Sequence, residues 1–253
     1  MKAVVLAVAL AVLAIPGAAL AASPVQQGEH LYGRYCISCH GPAGAGQVGA
    51  KVGAGPARDQ MTTKGKGPSL QGVGALAAHF YLSTGYMPMK RNGIQPRRSR
   101  LLLGPREIDA LIAYVASLGS GPPVPQPHPE RGNLSDGQEL FADRCSGCHQ
   151  IVAAGGYVTG AIPPALYEAT ETQIAEAVRI GPYVMPKFSK RAISDRQLDS
   201  LIRYVEYAKN PDDRGGWSLG HAGPIPEGLV TWFLAASVLV ALCMVLGKRL
   251  RRG

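Results

Sequence analysis

Between residues 23 and 209, apolar side chains recur at intervals of three and four rather than in alternation. Ile108, Leu111, Ile112 and Val115 form one such stripe behind a Pro105 start, and Leu198, Leu201, Ile202 and Val205 form another. Leu31 and Tyr32 open an earlier helix that runs into Cys36. No alternating apolar run is long enough for a sheet, so the pattern predicts small all-α domains. At both ends the pattern becomes continuously apolar. Residues 1–22 carry Lys2, an apolar run from Ala3 to Ile15, the breakers Pro16-Gly17 and then Ala19-Leu20-Ala21. That layout predicts a secretory signal peptide, with an uncleaved anchor as the rival reading. From Gly228 to Leu246 there is no charge, and those 19 residues would rise about 28 Å as a helix, close to the hydrocarbon thickness. Residues 228–247 are therefore expected to span a membrane, with Trp232 near one interface and the basic tail 248–253 beyond the other. Positive charge stays on the cytoplasmic side, so the segment from Ser23 to Glu227 is expected to face outward, with the C-terminus cytoplasmic.

The helical segment repeats itself. With a shift of 109, Gly28-Glu-His-Leu31-Tyr32-Gly-Arg-Tyr-Cys36-Ile-Ser-Cys39-His40 falls on Gly137-Gln-Glu-Leu140-Phe141-Ala-Asp-Arg-Cys145-Ser-Gly-Cys148-His149. Each copy then shows Pro-x-Leu (Pro68, Pro164), a Gly followed by Met-Pro (Gly85 with Met87; Gly181 with Met185), and a closing Asp-x-Leu-Ile-x-Tyr-Val from Asp109 or Asp199. Four signals in one order imply internal duplication. The predicted organisation is a first domain over 23–119, a Pro-rich linker over 120–133, a second domain over 134–209 and a juxtamembrane linker over 210–227.

Charge alters this picture little. The balance is +9, but the basic residues are scattered, apart from the run around Lys90, Arg91, Arg97, Arg98 and Arg100 and the C-terminal tail. Aromatic residues do not interleave that run as a base-stacking surface requires, which argues against nucleic acid as a partner.

The cysteines carry the chemistry. Cys36-x-x-Cys39-His40 and Cys145-x-x-Cys148-His149 have the spacing for covalent haem attachment. Two thiols three residues apart on a helix share a face and can add to the two vinyl groups of one porphyrin. The following His is then placed over the ring as a ligand to iron. A thioredoxin-like pair needs no such His, a zinc site needs four ligands close together, and a plain disulfide leaves the paired Met-Pro sites unexplained. Two covalently bound haem c groups are expected. Met87 and Met185 are the candidate distal ligands, with Met89 as the alternative to Met87. Met61 falls in a polar, Gly-rich insertion and reads as exposed. His79 reads as a surface or core residue. Pro68 and Pro164 would each offer a carbonyl to the N–H of the proximal His. Cys243, unpaired within the apolar helix, reads as lipid-facing.

The order of signal, two class I cytochrome c units and one C-terminal membrane helix resembles the dihaem cytochrome c subunit of the actinobacterial menaquinol–cytochrome c reductase, the cytochrome bcc complex. Ser83-Thr84-Gly85, Met185-Pro186-Lys187-Phe188-Ser189 and Gly223-Pro224-Ile225-Pro226-Glu227-Gly228 carry that likeness. The Gly-rich insertion from Gly41 to Lys66 departs from it. The resemblance implies a cell-membrane subunit beside a cytochrome b subunit and a Rieske iron–sulfur subunit, passing electrons to an aa3-type cytochrome c oxidase. The chain itself offers no nucleophile, general base or open metal position, so the expected enzyme role is that of an electron-transfer subunit. Two alternatives stand: a membrane-anchored dihaem carrier for another respiratory enzyme, and a dihaem peroxidase, which would need one five-coordinate iron.

Overall fold

The computed structural model describes residues 22–47, 67–89, 95–212 and 224–251. Among them there is no strand, only one isolated bridge between Val158 and Ala161. The first unit holds α1 (Pro24–Tyr35), the single turn α2 (Ile37–His40), α3 (Gly74–Ser83) and α4 (Pro105–Ser117). The second repeats the set as α5 (Leu134–Arg144), α6 (Ser146–His149), α7 (Glu171–Ile180) and α8 (Asp195–Lys209). The two units thus share one order of helices, as the internal duplication predicts.

Local signals set the helix ends. Ser23 caps α1, accepting from Gln26 N–H while the Gln26 side chain accepts from Ser23 N–H. Asn133 caps α5 by accepting from the N–H groups of Ser135 and Asp136. Thr170 and Ser194 form the same reciprocal boxes at the starts of α7 and α8.

In each unit the first helix crosses the last. Gly28 of α1 meets α4 so closely that a Cβ there would lie 2.0 Å from the Ala110 carbonyl oxygen. Gly137 of α5 meets α8 in the same way, at 1.9 Å from the Ser200 oxygen. Glycine is needed at both positions because one backbone passes over another. Around the first crossing are buried Leu31, Tyr32, Leu111, Tyr114 and Val115; around the second are Phe141, Leu201, Ile202, Tyr204 and Val205. Burial is worth roughly 2 kcal/mol for each such side chain, so these crossings are a main source of each unit's stability.

The Pro-rich stretch between the units is extended and tied down along its length. Leu76 N–H donates to the Pro122 carbonyl (3.1 Å), and His128 N–H donates to Asp199 Oδ1 (2.8 Å). The units also touch directly, α3 against α7.

The final helix, α9 (Pro224–Leu250), is longer than the apolar stretch from which it was expected. Pro224 and Pro226 sit in its first turn, where a missing N–H costs nothing, and no breaker stops it at Lys248. Its apolar side chains, among them Leu234, Val238 and Leu239, stand exposed. An apolar helix bare on all sides fits a membrane anchor. The signal segment, Met61 and most of the Gly-rich insertion lie outside the described residues.

Candidate functional site

The two Cys-x-x-Cys-His segments fold almost identically. Cys36 and Cys145 break the first helix at φ/ψ of −121/−32° and −123/−34°. Their N–H groups close it on Tyr32 O and Phe141 O, each at 2.9 Å. One further turn follows in each, in which His40 and His149 N–H donate to the carbonyls of Cys36 and Cys145, again at 2.9 Å. That turn directs the imidazole inward. His40 is 8 % exposed and His149 9 %.

The imidazoles are oriented from behind. His40 Nδ1 lies 2.8 Å from the Pro68 carbonyl, and His149 Nδ1 lies 3.1 Å from that of Pro164. A carbonyl can only accept, so Nδ1 carries the hydrogen and Nε2 keeps its lone pair. Burial holds both imidazoles below their usual range, and the carbonyl bonds act weakly the other way. Each ring is thus a neutral ligand with one nitrogen free for iron. Pro68 lies 28 residues beyond its His and Pro164 only 15 beyond, yet both reach the same place. Gly67 makes this approach possible in the first unit, since a Cβ there would stand 2.7 Å from His40 Nδ1.

The first thiol of each pair is half-buried. Burial pushes Cys36 and Cys145 up to about 11, with the neighbouring Cys39 and Cys148 adding to the effect. A redox-exchange or zinc site needs the opposite, a thiolate near neutral pH. This donor set, two thiols three residues apart and a free imidazole nitrogen, fits a covalently bound haem.

The Met-Pro segments are positioned by the loops after α3 and α7. Met87 N–H donates to Tyr81 O (2.9 Å), and Met185 N–H donates to Pro182 O (3.1 Å). Met87, Met89 and Met185 are all half-buried, and Met185 packs against the core of its unit. Gly85 and Gly181, at φ of 68° and 66°, turn the chain after the two helices. The surroundings differ: Phe80, Tyr81 and Tyr86 form an aromatic cluster in the first unit. Counted from the two glycines, the second unit has Glu176, Ala177 and Pro182 at those positions.

His79 is drawn to the other unit, where its Nδ1 lies 2.7 Å from Glu176 Oε1. Reading the sequence had not singled out Glu176, whose side chain is fully buried. The available signal was its place opposite Phe80 once the copies are aligned on Gly85 and Gly181. A strap over 95–100 adds further inter-unit bonds. Gln95 exchanges two hydrogen bonds with the Ile162 backbone (2.8 Å each), and Arg98 donates to Gln173 Oε1 (2.6 Å).

Known proteins match this arrangement. The family model described as cytochrome c matches residues 25–119, and that described as cytochrome c oxidase, cbb3-type, subunit III matches residues 132–205. A cytochrome bc1 complex cytochrome c subunit of Corynebacterium diphtheriae is 32 % identical over 89 % of this chain and 81 % of its own length. The subunit of the same name from Mycobacterium bovis is 34 % identical over 89 % of this chain and 78 % of its own.

Proposed function

Because this chain belongs to the family of cytochrome c subunits of the cytochrome bc1 complex, we propose that it is the dihaem relay of a respiratory menaquinol–cytochrome c reductase. Cytochrome c domains carry covalently bound haem c and serve electron transfer. In this reading there are two such groups, one in each unit. Cys36 and Cys39 attach the first, with His40 as proximal and Met87 as distal ligand. Cys145, Cys148, His149 and Met185 do the same in the second. The haems supply reversible one-electron chemistry when bound. The chain's residues hold each ring by its edge, keep the imidazole neutral through Pro68 or Pro164, and exclude water from the ligand side. With His40 and Met87, and His149 and Met185, as ligands, each iron would have no position left for substrate, which favours relay over peroxidase chemistry.

The electrons would come from a Rieske iron–sulfur centre and leave to an aa3-type oxidase, with a cytochrome b subunit beside the anchor. Both units would lie outside the cell membrane, with α9 crossing it and the basic tail inside. The observation that carries the proposal is the duplicated site itself, two free imidazole nitrogens each backed by a proline carbonyl.

The test is gentle solubilisation from the native membrane, with identification of what accompanies the chain and a reduced-minus-oxidised spectrum. A cytochrome b and a Rieske protein are expected to travel with it. Association with an unrelated dehydrogenase instead would overturn the assignment of partners and leave the haem sites standing.

A further inference from the structure

The helices α3 and α7 are counterparts in the duplication, and they meet each other antiparallel. His79 faces Glu176, and Ser83 faces Gln173, whose Nε2 donates to Ser83 Oγ (3.0 Å). Of the two counterpart helices, only one has a carboxyl at this buried contact. Where the first unit places Phe80, the second places Glu176, with none of its side chain exposed. Oε1 of Glu176 is 2.7 Å from His79 Nδ1, while Oε2 is buried without a hydrogen-bond partner. A carboxylate left in that position would carry an unpaired charge out of water, whereas a carboxylic acid can donate to Nδ1 and leaves only a carbonyl oxygen unmatched. The His79 side chain keeps 29 % of its surface exposed, so it connects the buried acid to solvent.

We propose that Glu176 and His79 form a proton-binding site between the two units, taking up one proton from water when an electron arrives and releasing it when the electron leaves. The inference rests on the dihaem reading for its electron and on the interface alone for its proton. An added electron makes the neighbourhood more negative, which favours the protonated pair; loss of the electron reverses this. Burial pushes the Glu176 carboxyl up to about 8 and lowers His79, so the pair is neutral, and its proton is exchanged with the electron in the range around and above pH 8, where the oxidised protein has begun to lose it. The other charges nearby are accounted for. Asp109 on α4 acts on His79 in favour of its protonation. Arg98 on the strap is held by Gln173 and lies 3.9 Å from Glu168. On α7 itself, Glu171 lies in the first turn and Arg179 bonds Asp195. Lys209 of α8 is engaged by Glu206 and the Ala169 carbonyl.

The sign of the stability effect follows. The carboxyl ordinarily loses its proton near 4.5 and here keeps it to about 8. Its contribution to folding is full below the lower value and drains as pH rises to the upper one.

The test uses the full haem-loaded chain and Glu176→Gln, which preserves shape and can still donate to Nδ1. A pH titration followed by infrared spectroscopy reads the protonated carboxyl directly. The wild type is expected to lose a carboxylic-acid band near pH 8, and the variant to lack that band. Redox titration across the same range reads the coupling. Wild-type potentials are expected to fall with rising pH by up to about 59 mV per unit, the one-electron equivalent of a tenfold change, and the variant's slope to flatten. His79→Gln is expected to keep a slope, with its midpoint moved. A pH profile of Glu176→Gln that superimposes on the wild type overturns the proposal. A chain without haem would sink the dihaem reading instead, and the infrared band would still report on the acid.

Discussion

Tyr32 in the first unit and Phe141 in the second occupy the same place, as do their ring partners Tyr114 and Tyr204. The paired rings lie 5.1 and 5.3 Å apart at 45° and 51°. The hydroxyl that ties down the loop after the Cys-x-x-Cys-His turn nevertheless comes from opposite members of the pair. In the first unit, Tyr32 on α1 donates to Gly41 O (2.6 Å) and accepts from Gly44 N–H (3.1 Å). In the second, Tyr204 on α8 donates to Ile151 O (2.7 Å). The crossing requires two aromatic rings in tilted contact and one anchoring hydroxyl, and it does not matter which helix supplies the latter. Duplicated domains can thus drift in sequence while the physical requirement is met from the other side.

The largest effect is expected where the copies agree. Gly28→Ala and Gly137→Ala would each drive a methyl group into a carbonyl of the opposing helix. Each should destabilise its own unit by about 3 kcal/mol, read by denaturant unfolding of the haem-loaded protein. A large loss from one and none from the other would break the equivalence of the two crossings.

The next effect is expected where the copies diverge. Burial pushes the Tyr32 hydroxyl up to about 12, so it remains a donor throughout the working range. Tyr32→Phe leaves two buried backbone partners unmatched and should cost about 2 kcal/mol. Tyr204→Phe loses one bond and should cost about 1 kcal/mol. Tyr114→Phe should stay within about 0.5 kcal/mol. Equal losses at Tyr32 and Tyr114 would contradict the swapped anchor. The caps should lose about as much as Tyr204→Phe. Ser23→Ala and Asn133→Ala should each cost about 1 kcal/mol, measured by thermal unfolding.

Much of this arrangement was legible in the residues. The crossing glycines head the repeated motif, the stripes from Ile108 and Leu198 are the buried faces of α4 and α8, and the proline carbonyls stand behind the histidines at the expected Pro-x-Leu sites. The Cys-x-x-Cys-His spacing is readable because attachment to one ring fixes it locally. The inter-unit contact was not readable in that way. It depends on how two domains meet, and the repeat shift changes from 109 at the cysteines to 96 at Gly85 and Gly181 and 90 at the last helices. Each change marks chain inserted into the first unit, and the later one contributes the strap from which Gln95 and Arg98 reach across. Helical periodicity treats Glu176 as an ordinary polar position, and only its alignment with Phe80 shows a carboxyl where a core residue belongs. The first turn of α9 was also missed, because proline reads as a breaker although a helix tolerates it at its start.

All of this rests on equivalent haem attachment in both units. The most direct measurement is the mass of the purified chain after denaturation and acid-acetone extraction, together with the pigment it retains. The account predicts a polypeptide that stays coloured and is heavier by two haem groups, falling to one in Cys36→Ser/Cys39→Ser and likewise in Cys145→Ser/Cys148→Ser. A colourless chain of unmodified mass, or a wild-type protein carrying a single group, would contradict it.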